Sequence, residues 1–247
     1  MQDLTLIVPF YRNCAMLAEQ VRNWNHYPES IRIILVDDGS PEEALPIVME
    51  HATLETLARL EVYRINQDIP WNRGGARNLG AKRCNTAWML HIDIDHILPP
   101  HCAEILALWH SAPVRWYRFS RYRRGKADET RLKDAIPENQ DYGQIHPHVD
   151  SYLCTRDMYW KAGGYNEDFS GCLGGGSPFL KYLEQVGGKP YLMPADIFLE
   201  VYTRSTIADA SDHTLSRDKT AFTLRKLKLK GQFKGHNPLR FTWNRVL

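Results

Sequence analysis

No apolar run in the sequence approaches the ~18 to 20 residues needed to cross a bilayer. Its opening, MQDLTLIVPFYRN, also lacks the basic region, apolar stretch and cleavage site of a secretion signal. Both absences lead to the expectation of a soluble, cytoplasmic protein. Cysteine is sparse: Cys14, Cys84, Cys102, Cys154 and Cys172 are scattered, odd in number and free of any CxxC spacing. That pattern predicts neither a disulfide framework nor a structural zinc ribbon, and the thiols are read as reduced. Internal repeats and low-complexity segments are missing too, which removes solenoid and disordered-array architectures. Acidic residues are absent from Lys219 to Leu247, where eight Lys or Arg occur; subtracting that +8 from the formal +2 leaves about −6 for the rest of the chain. The basic charge is therefore concentrated at one end, where an anionic partner could meet it.

The 247 residues, 43% hydrophobic and 24% charged, suit one main globular domain with a sizeable core. The first half alternates β-branched runs with amphipathic stretches. LTLIVPF, IRIILVDDGS, LEVYRI and TAWMLHID read as strands, and helices are predicted over 13–26, 41–59 and 75–84. Such alternation implies right-handed βαβ units around a mostly parallel α/β sheet, whose ligands bind beyond the carboxyl ends of the strands. PFYRN, VDDGS, NRGGARNLG and DID then share one rim. The second half is less regular: VRWYRFSRY alternates like a strand, a short helix is expected to end at Gly163 or Gly164, and SPFLKYLEQVGG reads as a helix capped by Ser177.

At MLHIDIDHILPP, Asp93 and Asp95 point the same way if the strand continues through them. Two carboxylates on one face repel unless a cation lies beside them, and Mg2+ or Mn2+ bridging to a diphosphate fits that need. His91 and His96 make zinc conceivable, although they fall on different faces. A solvated acidic turn before Pro99 and Pro100 is the plainer alternative.

The ordered set VPFYRN, ILVDDGS, NRGGARNLG, HIDID and AGGYNEDF resembles the family 2 type of nucleotide-sugar glycosyltransferase with the GT-A fold. The resemblance covers roughly residues 4 to 215 and is most specific over 4 to 100. It implies a nucleotide-sugar-binding half (1–100), an acceptor-binding and catalytic half of the same domain (101–218) and a basic C-terminal extension (219–247). By resemblance, Pro9, Tyr11 and Arg12 line the nucleotide of a UDP-linked sugar, and Asp38 bonds the base. Gly75 permits close backbone approach, and Arg77 nears the base or diphosphate. Asp95 is then the direct Mn2+ or Mg2+ ligand, Asp93 lies nearer the ribose and metal waters, and His213 completes the metal site.

One part of the family pattern is missing. Inverting relatives carry a W-G-G-E-D segment whose carboxylate deprotonates the acceptor hydroxyl, but this chain has Gly176 and Ser177 there. A serine hydroxyl is not ionised at neutral pH and cannot serve as that base. Either Asp150, Glu167 or Asp168 does so, or the sugar transfers with retention and the departing phosphate takes the proton.

The acceptor is read from RWYRFSRYRRGK, six basic residues interleaved with four aromatics. Arg115, Arg118, Arg121, Tyr122, Arg123 and Arg124 have the composition of a nucleic-acid surface, with cations for phosphates and rings for bases. Joined to the basic tail, this raises duplex DNA with hydroxymethylated pyrimidines as acceptor, as for glycosyltransferases of bacterial viruses. A half-buried strand with its aromatics facing the core gives the same pattern. A cell-surface or capsular glycan remains open as acceptor, and the tail could instead rest on an anionic membrane. A nucleotidyltransferase would carry a G-x-G-T-R loop near the first strand, which is not found, and a binding-only sugar-nucleotide protein would keep the motifs without turnover.

Overall fold

The computed structural model describes residues 3–109, 115–124, 144–172, 176–202, 219–235 and 239–247. Strands β1 (Leu4–Phe10) and β2 (Ile31–Asp37) are buried along their lengths except at Arg32, as expected of central parallel strands covered on both faces. Between them, α1 (Cys14–Trp24) starts where Asn13 Oδ1 accepts the Met16 N–H at 3.1 Å, and it buries Leu17, Val21 and Trp24. The single helix predicted over 41–59 is two, α2 (Ala44–His51) and α3 (Leu54–Leu57). Ala52 is extended, and the Thr53 side chain starts a new helix by accepting from the Thr56 N–H.

Next come β3 (Leu60–Ile65), α4 (Arg73–Arg83) and β4 (Trp88–His91). β1 pairs in parallel with both β2 and β4, and β2 with β3. The chain thus leaves β1 toward β2 and β3 and returns on the other side as β4. That reversal opens a crevice at the carboxyl ends of β1 and β4.

The remainder widens this sheet and builds a second one. Its elements are β5 (His96–Ile97), α5 (Pro100–Leu108), β6 (Tyr117–Arg118), β7 (Ser120–Arg124), β8 (Gln144–Ile145), β9 (Tyr152–Thr155), α6 (Arg156–Lys161), a 3-10 turn (Glu167–Phe169), α7 (Gly176–Gly187), β10 (Tyr191–Leu192), β11 (Phe198–Tyr202), α8 (Lys219–Leu229) and β12 (Trp243–Arg245). The large sheet runs β10-β6-β9-β4-β1-β2-β3-β12 and the small one β5-β11-β7-β8. The architecture is mixed α/β, a large central sheet flanked by helices.

One sequence expectation changes here. β4 stops at His91, so Asp93 and Asp95 occupy a turn closed by the His96 N–H on the Asp93 carbonyl at 3.0 Å. The period-two reasoning about their shared face therefore does not apply. The described residues from 219 onward pack against the rest of the chain. Phe222 and Phe233 lie 5.5 and 6.0 Å from the Phe169 ring, and β12 adds an antiparallel edge strand beside β3. Aromatic residues interleaved with the lysines supply that anchoring.

Candidate functional site

At the end of β1, Pro9 is buried and Arg12 sits at φ 57°, an uncommon conformation for a non-glycine residue. The Arg12 N–H donates to Ser40 Oγ at 3.0 Å. Tyr11 donates its hydroxyl to Asp68 Oδ1 at 2.9 Å, and the Arg12 guanidinium lies 4.0 Å from Asp68 Oδ2. Asp68 escaped the sequence reading, although it follows β3 at the same rim as the other motifs.

The two aspartates of VDDGS divide the work. Asp37 is a framework residue: it accepts the Ser40 N–H at 2.9 Å and the Ala44 N–H at 3.2 Å, and pairs with Arg64 at 2.9 Å. Asp38 is 4% exposed, and its Oδ1 accepts from Asn72 Nδ2 at 2.9 Å. Burial pushes the Asp38 carboxyl well above the usual carboxylate range, against the pull of the Asn72 bond. Gly75 acts one step back, because a Cβ there would stand 2.3 Å from Asn72 Oδ1. The missing side chain leaves room for the carboxamide that holds Asp38.

Arg77 is fully buried on α4 and bonds the Asp93 carboxylate, and His148 Nδ1 lies 3.1 Å from the other Asp93 oxygen. Burial opposes the charge on Asp93, but Arg77 and then His148 outweigh it and hold the carboxyl well below its ordinary range. Asp95 is partly exposed and forms no hydrogen bond or ion pair with the described side chains. His91 stacks between the Tyr152 and Tyr159 rings at 5.0 and 5.2 Å, and burial holds it neutral. It is part of the core, which removes one donor from the zinc alternative.

A cleft opens beside this cluster, lined among others by Trp71, Arg73, Arg77, Asp150, Tyr165 and Gly176. Asp150 is 1% exposed; it accepts from the Tyr165 hydroxyl at 3.0 Å and faces Arg73 at 3.4 Å. A Cβ on Gly176 would fall 2.2 Å from Asp150 Oδ1. The Asp150 carboxylate thus fills the space that any side chain at position 176 would need. Trp71 was also missed by the sequence reading. It holds φ 47°, its buried indole N–H has no partner among the described residues, and the Arg73 guanidinium lies 5.2 Å from its ring centroid. Such backbone cost in a bulky residue is a feature of functional sites, yet it is visible only in the folded chain.

The other two acids lie outside the cleft lining. Glu167 accepts from Asn78 Nδ2 and from the Arg240 N–H, both at 3.0 Å, and Asp168 pairs with the Arg240 guanidinium. They fasten the C-terminal stretch. His213 lies outside the described residues.

The basic-aromatic stretch is largely turned inward. Trp116 and Phe119 are 1% exposed. Arg118 donates to the Pro147 carbonyl at 2.6 Å, and Arg121 to the His146 carbonyl at 2.7 Å and to His96 Nε2 at 3.0 Å. Arg115 lies 4.9 Å from the centroid of the Tyr191 ring, and Tyr122 packs edge-on to Phe198 at 5.0 Å. For Arg123 and Arg124 the structure describes the β7 backbone alone. Arg118 and Arg121 therefore hold the 146–148 loop in place, where the sequence pattern suggested outward donors.

Donor atoms of Asp93, His96 and His148 lie within 4.8 Å of one another. Both His96 ring nitrogens are already engaged, Nδ1 with Ser151 Oγ at 2.6 Å and Nε2 with Arg121, so a ligand role for His96 requires displacing one of them. Asp95 is not among these three, and the Asp93 oxygens are themselves engaged, one by Arg77 and the other by His148 Nδ1 at 3.1 Å; carboxylate and imidazole donors are of a kind compatible with Mn2+.

Comparison with known proteins bears on the fold. Among curated proteins, no sequence match emerges. In fold, the chain is similar to S. aureus TarS 1-349, with TM-score 0.62 and 12% identity over 93% of this chain and 66% of that one. It is also similar to the mannosyltransferase PcManGT from Pyrobaculum calidifontis, solved with GDP-Man and Mn2+ (TM-score 0.56, 15% identity, 91% of this chain, 60% of that one). A third structure, GalNAc-T7 with UDP, GalNAc and Mn2+, gives TM-score 0.60 and 13% identity over 95% of this chain and 55% of that one. The chain spans about two thirds or less of the length of these proteins. Its central sheet and flanking helices are those of the GT-A glycosyltransferases. The model of glycosyl transferase family 2 matches residues 5–169, well over half of the sequence, and the chain belongs to that family.

Proposed function

We propose that this chain transfers a sugar from a UDP-linked donor to a hydroxyl acceptor, assisted by Mn2+ or Mg2+. The observation that carries this reading is the meeting at one rim of Asp38, Arg77 and the Asp93–Asp95 turn, brought from two separate loops and helix α4. Asp38 would accept an N–H of the base, with Pro9, Tyr11 and Arg12 flanking the nucleoside. A carboxylate fixed in a tight turn discriminates bases by whether they offer that donor. Arg73 and Arg77 would face phosphate oxygens, which their planar donor forks suit. Asp95 would hold the ion, with Asp93 and His148 beside it and His213 as a further ligand. The bound ion supplies charge neutralisation for the departing diphosphate, a contribution of several kcal/mol.

Among the described residues, Asp150 is the acid that lines the cleft, and we assign it the base. It would take the acceptor's hydroxyl proton as the new O–C1 bond forms and the C1–O bond to the diphosphate breaks. Transfer would then invert C1. A retained configuration in the product would return the proton to the leaving phosphate and remove this role from Asp150.

For the acceptor, duplex DNA with hydroxymethylated pyrimidines is the specific candidate, suggested by the composition of the basic-aromatic stretch and of the chain from 219 onward. A cell-surface or capsular glycan is the second reading, favoured by the inward bonding of Arg118 and Arg121. The test is release of nucleoside diphosphate from a panel of sugar nucleotides with Mn2+, with and without such DNA or a glycan. Metal-dependent release that is lost in Asp95→Asn supports sugar transfer, and its stimulation by one acceptor selects between the two. Absence of turnover with every donor, in the presence of metal and both acceptors, would leave a binding-only protein.

A further inference from the structure

Helix α8 has two unlike sides. Phe222, Arg225 and Leu229, at helical spacing, are half-buried. Phe222 packs on Phe169, and the Arg225 guanidinium donates to the Asp168 carbonyl. The other side carries Leu224 and Leu227, 60% and 68% exposed. Lys228 and Lys230 flank them and are exposed as well, whereas the Lys226 ammonium lies over the Phe222 and Phe233 rings at 5.5 and 5.8 Å, and no acid occurs between Lys219 and Leu247.

Lysines alone would suit any polyanion. Two leucines at i and i+3 on the same exposed side change the choice, since apolar side chains gain nothing from a phosphodiester backbone but do gain from an acyl-chain boundary. A single-stranded nucleic-acid surface would offer rings for stacking, yet Phe222 and Phe233 are both turned toward Phe169. At 11 residues, about 16 Å long, the helix is far too short to span a bilayer, and no helix among the described residues is long and apolar enough to do so.

We propose that α8 is an interfacial helix that rests on an anionic lipid surface. Leu224 and Leu227 reach the acyl boundary, and Lys228 and Lys230 meet headgroup phosphates. This docking does not depend on the sugar-transfer reading, and either can fail alone.

The test is sedimentation of the full chain with vesicles of phosphatidylcholine alone and of phosphatidylcholine mixed with phosphatidylglycerol, at low and high salt. Selective binding to the anionic vesicles, weakened by salt, is expected. Lys228→Glu combined with Lys230→Glu should weaken it at least about tenfold, from the attraction of each lysine for an anionic surface. Leu224→Asp combined with Leu227→Asp should abolish it, while the circular dichroism spectrum and nucleoside diphosphate release stay unchanged. Binding that survives the leucine pair, binding indifferent to lipid charge, or binding to duplex DNA without binding to vesicles would each overturn the proposal.

Discussion

Arg77, which lines the cleft, forms an ion pair with Asp93, the guanidinium fully buried and the carboxylate side chain 13% exposed. Burial works against the charge on Arg77, but Asp93 and Asp150 outweigh it and push its pKa up. Each charge is kept by the other. Arg77→Met should therefore cost about 3 to 5 kcal/mol, the usual result of stranding one member of a buried pair. Arg77→Lys should cost less but still measurably, since a point charge replaces a planar fork. Urea unfolding at neutral pH would show both, and equal stability of wild type and Arg77→Met would remove the pair from the fold's support.

Asp38 carries a pH signature. Its folded pKa is raised, first by burial and then by the nearby Asp37 and Asp68 carboxylates. Its stabilising contribution is therefore fully present below the unfolded pKa of about 3.9 and is lost as pH rises through the folded value. Asp38→Asn should flatten that decline and leave the variant more stable than wild type at neutral pH. The same change should weaken UDP binding by about tenfold or more, the worth of a hydrogen bond to a charged group. Thermal unfolding across the acid-to-neutral range, paired with UDP titration, separates the two effects. A wild-type pH slope in the variant would count against this account of Asp38.

Asp150 and Gly176 give a prediction in which adding one methyl group mimics removal of a functional group. Asp150→Asn should lower transfer about 10²- to 10⁴-fold, the range for a lost general base, with donor binding retained. Gly176→Ala removes no chemistry, yet its Cβ would fall 2.2 Å from Asp150 Oδ1. It should displace the carboxylate and depress transfer in the same direction. Wild-type turnover in Gly176→Ala would show that the position of Asp150 is not critical.

Glu167 provides the contrast. Both of its oxygens accept hydrogen bonds, from Asn78 and from the Arg240 N–H. Glu167→Gln places an amide N–H opposite a donor, which should cost about 1 to 3 kcal/mol of stability. Turnover per folded molecule should stay at the wild-type level. A loss of kcat without a loss of stability would instead return Glu167 to the list of bases.

Much of the first hundred residues was legible in the sequence because strand periodicity and turn chemistry are local. β1 to β4 follow their β-branched runs, and the rule that loops converge beyond parallel strand ends put Asp38, Arg77 and Asp93 in one region. The break at Ala52–Thr53 was not legible, since the apolar pattern runs through it and a threonine cap decides it. The end of β4 at His91 was missed for a similar reason: alternation continues in HIDID after the strand pairing has stopped.

The sequence by itself determined the alternating strands and helices, the order of the motifs and the absence of a carboxylate at 176 and 177, because each depends on neighbours within a few residues. The tertiary structure alone decided which arginines are spent on carbonyls, which acids anchor the C-terminal stretch, and that Trp71 and Asp68 join the site. It also decided that Asp150 stands in the space left by Gly176, 26 residues away. Those outcomes depend on close packing between distant segments, where a missing Cβ or a buried charge selects its partner by space and dielectric, and no local pattern encodes that choice.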